Sequence, residues 1–315
     1  MNLLGKKVLL TGANGFIGSA IANALLCSRF DVLQAVRKST NLKETSIGSL
    51  DDGTDWNKVL TDCSVVVHCA ARVHVMKDAI SDSLSEYRKV NVAGTLNLAK
   101  QAACAGVKRF IFLSSIKVNG EETNLGRAYT DQDVAAPQDE YAISKAEAEV
   151  GLRSLADETG MEVVIIRPPL VYGPGVKGNF YTLMSLVARG LPLPFGLATT
   201  NRRSFVSVDN LVSLIMTCID HPNAANQTFL VSDGEDLSTT DLLLRIGKSL
   251  NCPVRLVPIP VNILIILSWL LGKKPIAQRL LGSLQLDISK TCSLLNWKPP
   301  VPVDEGLRRV TRQRM

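Results

Sequence analysis

The chain has 315 residues, of which 46% are hydrophobic and 20% charged, and its net charge is +6. That length supports a sizeable core in one large domain or two modest ones, and the balance is that of a soluble enzyme. The basic residues are scattered along the chain, which excludes a nucleic-acid-binding footprint and leaves a mild preference for an anionic substrate.

Lys6 and Lys7 precede a short apolar strand with no small-residue cleavage site, so the N-terminus does not read as a signal peptide. Residues 8–18 read VLLTGANGFIG, with Gly12, Gly15 and Gly18 at three-residue spacing after Thr11. An amphipathic run with Ile21, Ala22, Leu25 and Leu26 follows directly. This predicts a buried strand, a tight glycine turn and a helix N-terminus in succession. Glycine serves where φ is positive or where backbone must approach a ligand closely. The helix start offers free N–H groups and a positive dipole end, an anion site suited to a dinucleotide pyrophosphate. Gly12, Asn14, Gly15, Phe16, Ile17 and Gly18 are therefore candidate cofactor-binding residues.

Residues 31–36 predict the second strand. An acid at its end would bind ribose hydroxyls and repel a 2′-phosphate. Here Val36 is followed by Arg37 and Lys38, which favours NADP because a guanidinium grips that phosphate bidentately. A solvated basic turn is the alternative. Residues 55–60 predict a short helix with Trp56 in the core. Residues 65–71 (VVVHCAA) predict a third buried strand whose Ala70 and Ala71 let a flat ring or ribose lie against the backbone. A helix is predicted over 85–105. Within it Asn91 needs partners if buried, and it is a candidate for bridging backbone behind the site. Ala93, Gly94 and Ala102 allow close helix packing, including across a dimer interface.

Residues 109–115 (RFIFLSS) predict a fourth strand ending in Ser114 and Ser115. After a loop over 135–138, Glu140 opens a helix that carries Tyr141 and Lys145 one turn apart on one face. A tyrosine ionises near pH 10, and a neighbouring ammonium stabilises its phenolate. Bringing it to about 7 takes about 4 kcal/mol, at about 1.4 kcal/mol per unit. Residues 163–166 predict another buried strand, closing at Arg167, Pro168 and Pro169. Gly173, Pro174, Gly175 and Gly178 then mark a second region. Short strands over 205–208 and 228–231 are expected to return to the first. Residues 261–271 (VNILIILSWLL), followed by Lys273 and Lys274, form the most apolar window. It is too short to span a bilayer, which needs about 20 residues. It reads either as a buried helix or as one lying on a membrane surface with its lysines at the headgroups. The seven cysteines form no CxxC pair, which fits a reduced, cytoplasmic compartment. The three histidines show no metal-ligand spacing with them, so no metal is expected and structural histidines are.

With the glycine turn, Ser115, Tyr141 and Lys145 in place, the chain resembles an extended short-chain dehydrogenase/reductase. The similarity is to the NAD-dependent epimerase/dehydratase family, which includes the UDP-glucose 4-epimerases. It runs through TGANGFIG, VHCAA, VNVAGTLNL, FLSSIKVNG, YAISK, RPPLVYGPG, NRRSFVSVDNL and LNWKPP. The resemblance implies an α/β fold, a doubly wound parallel Rossmann sheet over 1–172 with 205–232 returning to it. A smaller C-terminal substrate domain over 173–315 is implied as well.

By the same resemblance Ser115 hydrogen-bonds the reacting sugar oxygen, Tyr141 is the acid/base, and Lys145 binds the nicotinamide ribose and lowers the tyrosine pKa. The cofactor set extends to Arg37, Ala70, Ala71, Asn91, Ser114 and Pro168. Asn179 would meet the substrate diphosphate and Arg203 would clamp it. Three departures bear on specificity: Val36 and Arg37 stand where an acid is usual, Asn119 stands where a tyrosine is usual, and Lys117 adds a cation near the reaction centre or at the loop surface. Lys117 and Asn119 speak against a straightforward UDP-galactose pocket.

The basic turn then favours an NADPH-dependent 4-ketoreductase acting on a UDP-4-keto-6-deoxy-N-acetylhexosamine in surface-polysaccharide precursor synthesis. An NAD-dependent UDP-glucose or UDP-N-acetylglucosamine 4-epimerase is the alternative. A non-catalytic dinucleotide-binding regulator would tend to have lost Tyr141 or Lys145, and both are present. The expected partners are a UDP-sugar and a second copy in a homodimer, with peripheral membrane contact through 261–274 as a further option.

Overall fold

The structure, a computed structural model, describes residues 5–28, 30–39, 44–73 and 83–312. In chain order it runs β1 (Lys7–Thr11), α1 (Phe16–Cys27), β2 (Asp31–Val36), β3 (Glu44–Ser46), α2 (Asn57–Leu60) and β4 (Cys63–His68). Then come α3 (Ser83–Tyr87), a π-helical turn (Arg88–Gly94), α4 (Thr95–Cys104), β5 (Arg109–Leu113), a 3-10 turn (Ile116–Val118) and α5 (Glu140–Thr159). β6 (Glu162–Arg167), β7 (Leu170–Tyr172), α6 (Asn179–Ala188), β8 (Arg203–Ser207), α7 (Val208–Asp220), β9 (Thr228–Leu230) and β10 (Asp236–Leu237) follow. The chain closes with α8 (Thr239–Ser249), α9 (Val261–Leu270), α10 (Lys274–Leu281), α11 (Ser289–Leu295) and α12 (Val303–Arg312).

Runs such as Val8-Leu9-Leu10 and Val65-Val66-Val67 are apolar on both faces because both faces of their sheet are covered. Val8, Leu10, Val65 and Val67 face one core with Ile21 and Leu25 of α1 and Leu211 of α7. Leu9 and Val66 face the other, with Leu98 of α4 and Leu152 of α5. The seven strands are parallel and lie in the order β3-β2-β1-β4-β5-β6-β9. Strand order reverses between β1 and β4, and a crevice for a ligand opens beyond the carboxyl ends of strands at such a point.

A smaller sheet, β10-β8-β7, packs with α6, α8 and α12 around Tyr172, Phe180, Leu243 and Leu307. The two short strands expected to return to the main sheet part company here. β9 joins it beside β6, while β8 pairs with β7 and β10 in the smaller sheet. Phe205 faces the small core and Val206 the main one, so β8 forms the seam between the two regions.

The helix over 85–105 is present as one helical stretch over 83–104, with a π turn that carries Asn91 inward. Gly94 and Ala102 give the close packing expected of small residues, here within the chain: a Cβ on Gly94 would lie 3.0 Å from Leu50, and Ala102 belongs to the core beneath α4. One other expectation is corrected: residues 261–271 are not a buried helix. No residue of α9 is buried, and Trp269 is 70% exposed.

Candidate active site

The glycine turn sits at the crevice, and its glycines do different things. Gly12 has φ +73°, and a Cβ there would lie 2.7 Å from the Ala70 nitrogen. A Cβ on Gly18 would lie 2.0 Å from the Gly12 carbonyl oxygen, so this glycine lets α1 start against the turn. Gly15 meets only the Gly12 carbonyl, at 3.2 Å, and otherwise faces open space beside the exposed Asn14. No side chain caps the N-terminus of α1 and its first turn carries no acid. Phe16 and Ile17 lean on the main core, which leaves the backbone N–H groups at the helix start for an anion. This turn fits a dinucleotide pyrophosphate.

Behind it, the Ala70 N–H donates to Thr11 Oγ1 at 3.2 Å, and His68 bonds Thr11 through Nδ1 and Thr95 through Nε2. Burial, with Lys145 nearby, pushes the His68 pKa down to about 3, so the ring is neutral and ties β1, β4 and α4 together. Among the described residues no group of three or more His, Cys, Asp or Glu side chains could hold a metal ion, and His74 lies outside those residues. Val36 is buried, while Arg37 is exposed and enters no ion pair among the described residues. Ala70 and Ala71 follow β4, both half-buried.

Tyr141 and Lys145 project from the first turns of α5, whose N-cap Asp139 accepts the Ala142 N–H at 2.7 Å. Lys145 is 1% exposed; its Nζ donates to the Leu113 carbonyl at 2.9 Å and lies 4.4 Å from the Phe112 ring centre. Burial pulls its pKa down to about 8, against the opposing pull of Cys69 and Glu149. Tyr141 is half-buried and packs edge-on against Tyr87, ring centres 6.2 Å apart. Its hydroxyl is held well above the usual tyrosine range, first by burial and then by Asp139 and Tyr87. The lowering expected from Lys145 is thus not what this protein alone produces: the ammonium is directed to the Leu113 carbonyl. Ser115 caps the 3-10 turn after β5, its Oγ accepting the Lys117 N–H at 3.2 Å. β5 and α5 together deliver Ser115, Tyr141 and Lys145 to the carboxyl edge of the sheet, beside the crevice.

Several predicted site residues prove to hold others in place. Asn91 is buried; its Oδ1 accepts the Arg72 N–H at 2.8 Å, and its Nδ2 donates to the Arg72 carbonyl and to Ser144 Oγ. Three of its four hydrogen-bonding positions are therefore taken by the loop after β4 and by α5. Ser114 donates to Glu149, which also receives Arg167 Nε at 2.9 Å and Arg167 Nη2. Arg167 Nη1 reaches Asn119 Oδ1 at 2.8 Å, and Asn119 is 1% exposed, so it is turned into this network. The Pro168 carbonyl accepts the Ile116 N–H at 3.0 Å. Lys117 pairs with Glu121 at 2.9 Å and with Asp139, which ties its cation to the N-cap of α5.

At the far end, Asn179 is exposed at the start of α6, after Gly178 at φ +71°. Arg203 begins β8, donates to the Gly282 carbonyl at 3.1 Å, and has its pKa lowered by burial to about 10. Glu121, Glu122 and Arg279 lie close enough to act on it. A cleft of about 380 Å3 lined by Gly175–Gly178, Tyr181, Met184 and Val310 adjoins Asn179, but none of Ser115, Tyr141 or Lys145 lines it.

Sequence reasoning missed Glu149 and Arg167, and it also missed the buried Asp233, which accepts from Tyr172 Oη at 2.6 Å, Asn210 Nδ2 at 2.6 Å and the Ser207 N–H at 2.8 Å. A signal existed for one of them: Arg167 closes an otherwise apolar strand, and a cation there needs a buried partner.

Comparison with known proteins agrees with this geometry. The profile of the NAD dependent epimerase/dehydratase family matches residues 8–232. Over 311 residues the chain is 50% identical to a UDP-glucose 4-epimerase of Vibrio cholerae, covering 98% of this chain and 95% of that protein. It is 29% identical to the N-acetyl-alpha-D-glucosaminyl-diphospho-ditrans,octacis-undecaprenol 4-epimerase of Escherichia coli O157:H7, covering 97% and 94%. In fold it superposes on the UDP-glucose 4-epimerase of Thermotoga maritima, solved with UDP-glucose, at TM-score 0.76, 22% identity and 98% coverage of both chains. The UDP-glucose 4-epimerase of Thermus thermophilus, solved with NAD, gives TM-score 0.77, 23% identity and the same coverage. The chain is an enzyme of the extended short-chain dehydrogenase/reductase type and belongs to the NAD dependent epimerase/dehydratase family.

Proposed function

We propose that this enzyme interconverts the C4 epimers of a UDP-linked hexose or N-acetylhexosamine, with NAD retained in the site throughout. The observation that carries the reading is the 50% identity, across 98% of the chain, with the Vibrio cholerae UDP-glucose 4-epimerase. That finding weighs more than the basic turn at Arg37 and Lys38, so it moves the balance from reduction by NADPH to epimerisation. Arg37 is exposed, which fits a solvated turn equally well.

When bound at the N-terminus of α1, NAD supplies the hydride acceptor and donor for C4 and a positive charge that favours the Tyr141 phenolate. The phenolate takes the proton of the 4-hydroxyl as the C4 hydride departs, and a 4-keto sugar remains. Once the sugar presents its other face, hydride returns to C4 and Tyr141 gives the proton back to the oxygen. Ser115 holds that oxygen, and Lys145, fixed by the Leu113 carbonyl, is positioned to hold the nicotinamide ribose. No external reductant is consumed.

The test uses purified enzyme. UDP-glucose and UDP-N-acetylglucosamine are supplied without added cofactor, and the nucleotide released by acid is identified. Formation of the C4 epimer together with recovered NAD supports the proposal. Stoichiometric NADPH consumption with UDP-4-keto-6-deoxy-N-acetylglucosamine, and no epimer, overturns it. Tyr141→Phe lowers kcat by about 10²–10⁴-fold, the usual weight of a positioned acid/base.

A second reading has one observation in its favour. α9 is apolar and exposed, and the chain leaving α10 hydrogen-bonds Arg203 through the Gly282 carbonyl. The link supports an apolar surface one short helix away from the proposed diphosphate site. It suits a sugar carried on a lipid diphosphate, as in the name of the Escherichia coli relative. Turnover of polyprenyl-diphospho-N-acetylglucosamine in detergent, with both UDP-sugars inert, would select it.

A further inference from the structure

We infer that the α9–α10 hairpin is a docking surface for an anionic lipid bilayer. The inference concerns where the enzyme sits and holds whichever sugar carrier is turned over.

Apart from Asn262 and Ser268, every residue of α9 is apolar, and a helix of that composition belongs inside a core. Here none of its residues is buried. Ile266 is 56% exposed, Trp269 70%, Leu270 67%, Leu271 70% and, across the turn on α10, Ile276 51%. Exposed apolar side chains this closely grouped mark an interaction surface.

Charge identifies the partner. No acidic residue occurs between Asp241 and Asp287, and the segment between them carries Arg245, Lys248, Arg255, Lys273, Lys274 and Arg279. These six cations equal the net charge of +6, so the remainder of the chain is balanced. Arg245 pairs with Glu235 and Asp304, and Lys248 lies 3.9 Å from Asp304. Among the described residues, Lys273, Lys274 and Arg279, next to the apolar patch, enter no ion pair. A patch of aliphatic side chains edged by a tryptophan and unneutralised cations matches the acyl–headgroup boundary of an anionic leaflet. A second copy is a poorer match, because a two-fold contact would bring Lys273 and Lys274 near their own images with no carboxylate between.

At 10 residues α9 is about 15 Å long, and no helix among the described residues is long and apolar enough to cross a membrane. The hairpin therefore lies on the surface. Its base is fixed to the site: the Leu280 carbonyl accepts Thr239 Oγ1, and the Gly282 carbonyl accepts Arg203 Nη1. Docking turns the Arg203 end of the site toward the leaflet.

The test uses the full chain with vesicles of phosphatidylglycerol, vesicles of phosphatidylcholine and a high-salt control. Of the three tryptophans Trp56 and Trp297 are buried, so Trp269 carries the environment-sensitive emission. We expect flotation with phosphatidylglycerol and a blue shift in emission, both weakened at least tenfold by phosphatidylcholine or about 0.5 M salt, on the order of a few screened cations. Trp269→Ser/Leu270→Ser/Leu271→Ser and, separately, Lys273→Glu/Lys274→Glu should each cut flotation by about tenfold or more while leaving turnover of soluble UDP-sugar unchanged. That unchanged turnover separates docking from catalysis. The inference is overturned if wild-type enzyme fails to float with phosphatidylglycerol or if both variants float as well as wild type. It is also overturned if the serine variant dissociates a wild-type oligomer, which would make a second copy the occupant.

Discussion

Lys145→Met should stabilise the protein while removing its activity, and the gain should disappear at alkaline pH. The lysine is 1% exposed and its pKa falls from 10.5 to about 8 through burial. A depression of that size means that its charged form is disfavoured in the folded state by about 3 kcal/mol at pH 7, at about 1.4 kcal/mol per unit. The sign follows from proton counts. Between the folded value near 8 and the unfolded 10.5 the unfolded chain binds more protons, so wild-type stability rises with pH across that window. At pH 9.5 the same arithmetic leaves a cost of about 1 kcal/mol. Methionine fills the space without the charge but forfeits the bond to the Leu113 carbonyl, worth about 1 kcal/mol. The variant should therefore gain about 2 kcal/mol at pH 7 and almost nothing at pH 9.5. Equilibrium denaturant unfolding of both proteins at the two pH values measures this, with an epimerase assay alongside. A variant less stable than wild type at pH 7, or a gain independent of pH, would refute the reasoning that the buried ammonium is held against its desolvation for the sake of the site.

Three further outcomes are expected. Gly18→Ala, whose Cβ would collide with the Gly12 carbonyl at 2.0 Å, should lower both the melting temperature and the NAD content; Gly15→Ala, whose Cβ would meet that carbonyl only at 3.2 Å, should lower NAD content with a much smaller loss of melting temperature, and equal behaviour of the two would contradict their assignment. Glu149→Gln leaves the buried Arg167 without a counter-charge and should destabilise by about 3–5 kcal/mol in denaturant unfolding, with a loss under about 1 kcal/mol counting against a structural role for the pair. Because the His68 pKa falls from 6.5 to about 3, the unfolded chain binds more protons across that interval and stability drops as pH falls through it; His68→Gln should flatten the slope, measured as melting temperature from pH 6.5 to 4.5.

What the sequence made legible was whatever is encoded by neighbours along the chain. A parallel strand covered on both faces must be an unbroken apolar run, so Val8-Leu9-Leu10 and Val65-Val66-Val67 announced the sheet. The glycine spacing announced the crevice because its collisions, Gly18 against Gly12 and Gly12 against Ala70, arise within one βα turn and the strand beside it. What escaped was whatever depends on a partner distant in sequence. Lys117 reads as a free cation until the fold sets Asp139 beside it, and Asn119 reads as a pocket residue until Arg167 takes its amide oxygen. The apolar window over 261–271 is the sharpest case. Composition alone admits burial or exposure, and the fold leaves its helix outside every core.

That contrast separates two kinds of information in the chain. The proposed reaction rests on Ser115, Tyr141 and Lys145, delivered by β5 and α5 to the carboxyl edge of the sheet, and a relative 50% identical to this chain is a UDP-glucose 4-epimerase. The setting depends on an acid-free segment between Asp241 and Asp287 that contributes nothing to those three side chains. α9 adds no buried residue to any of the cores. On the inference drawn above, its exposed apolar side chains, with Lys273, Lys274 and Arg279 beside them in no ion pair among the described residues, answer to an anionic membrane surface.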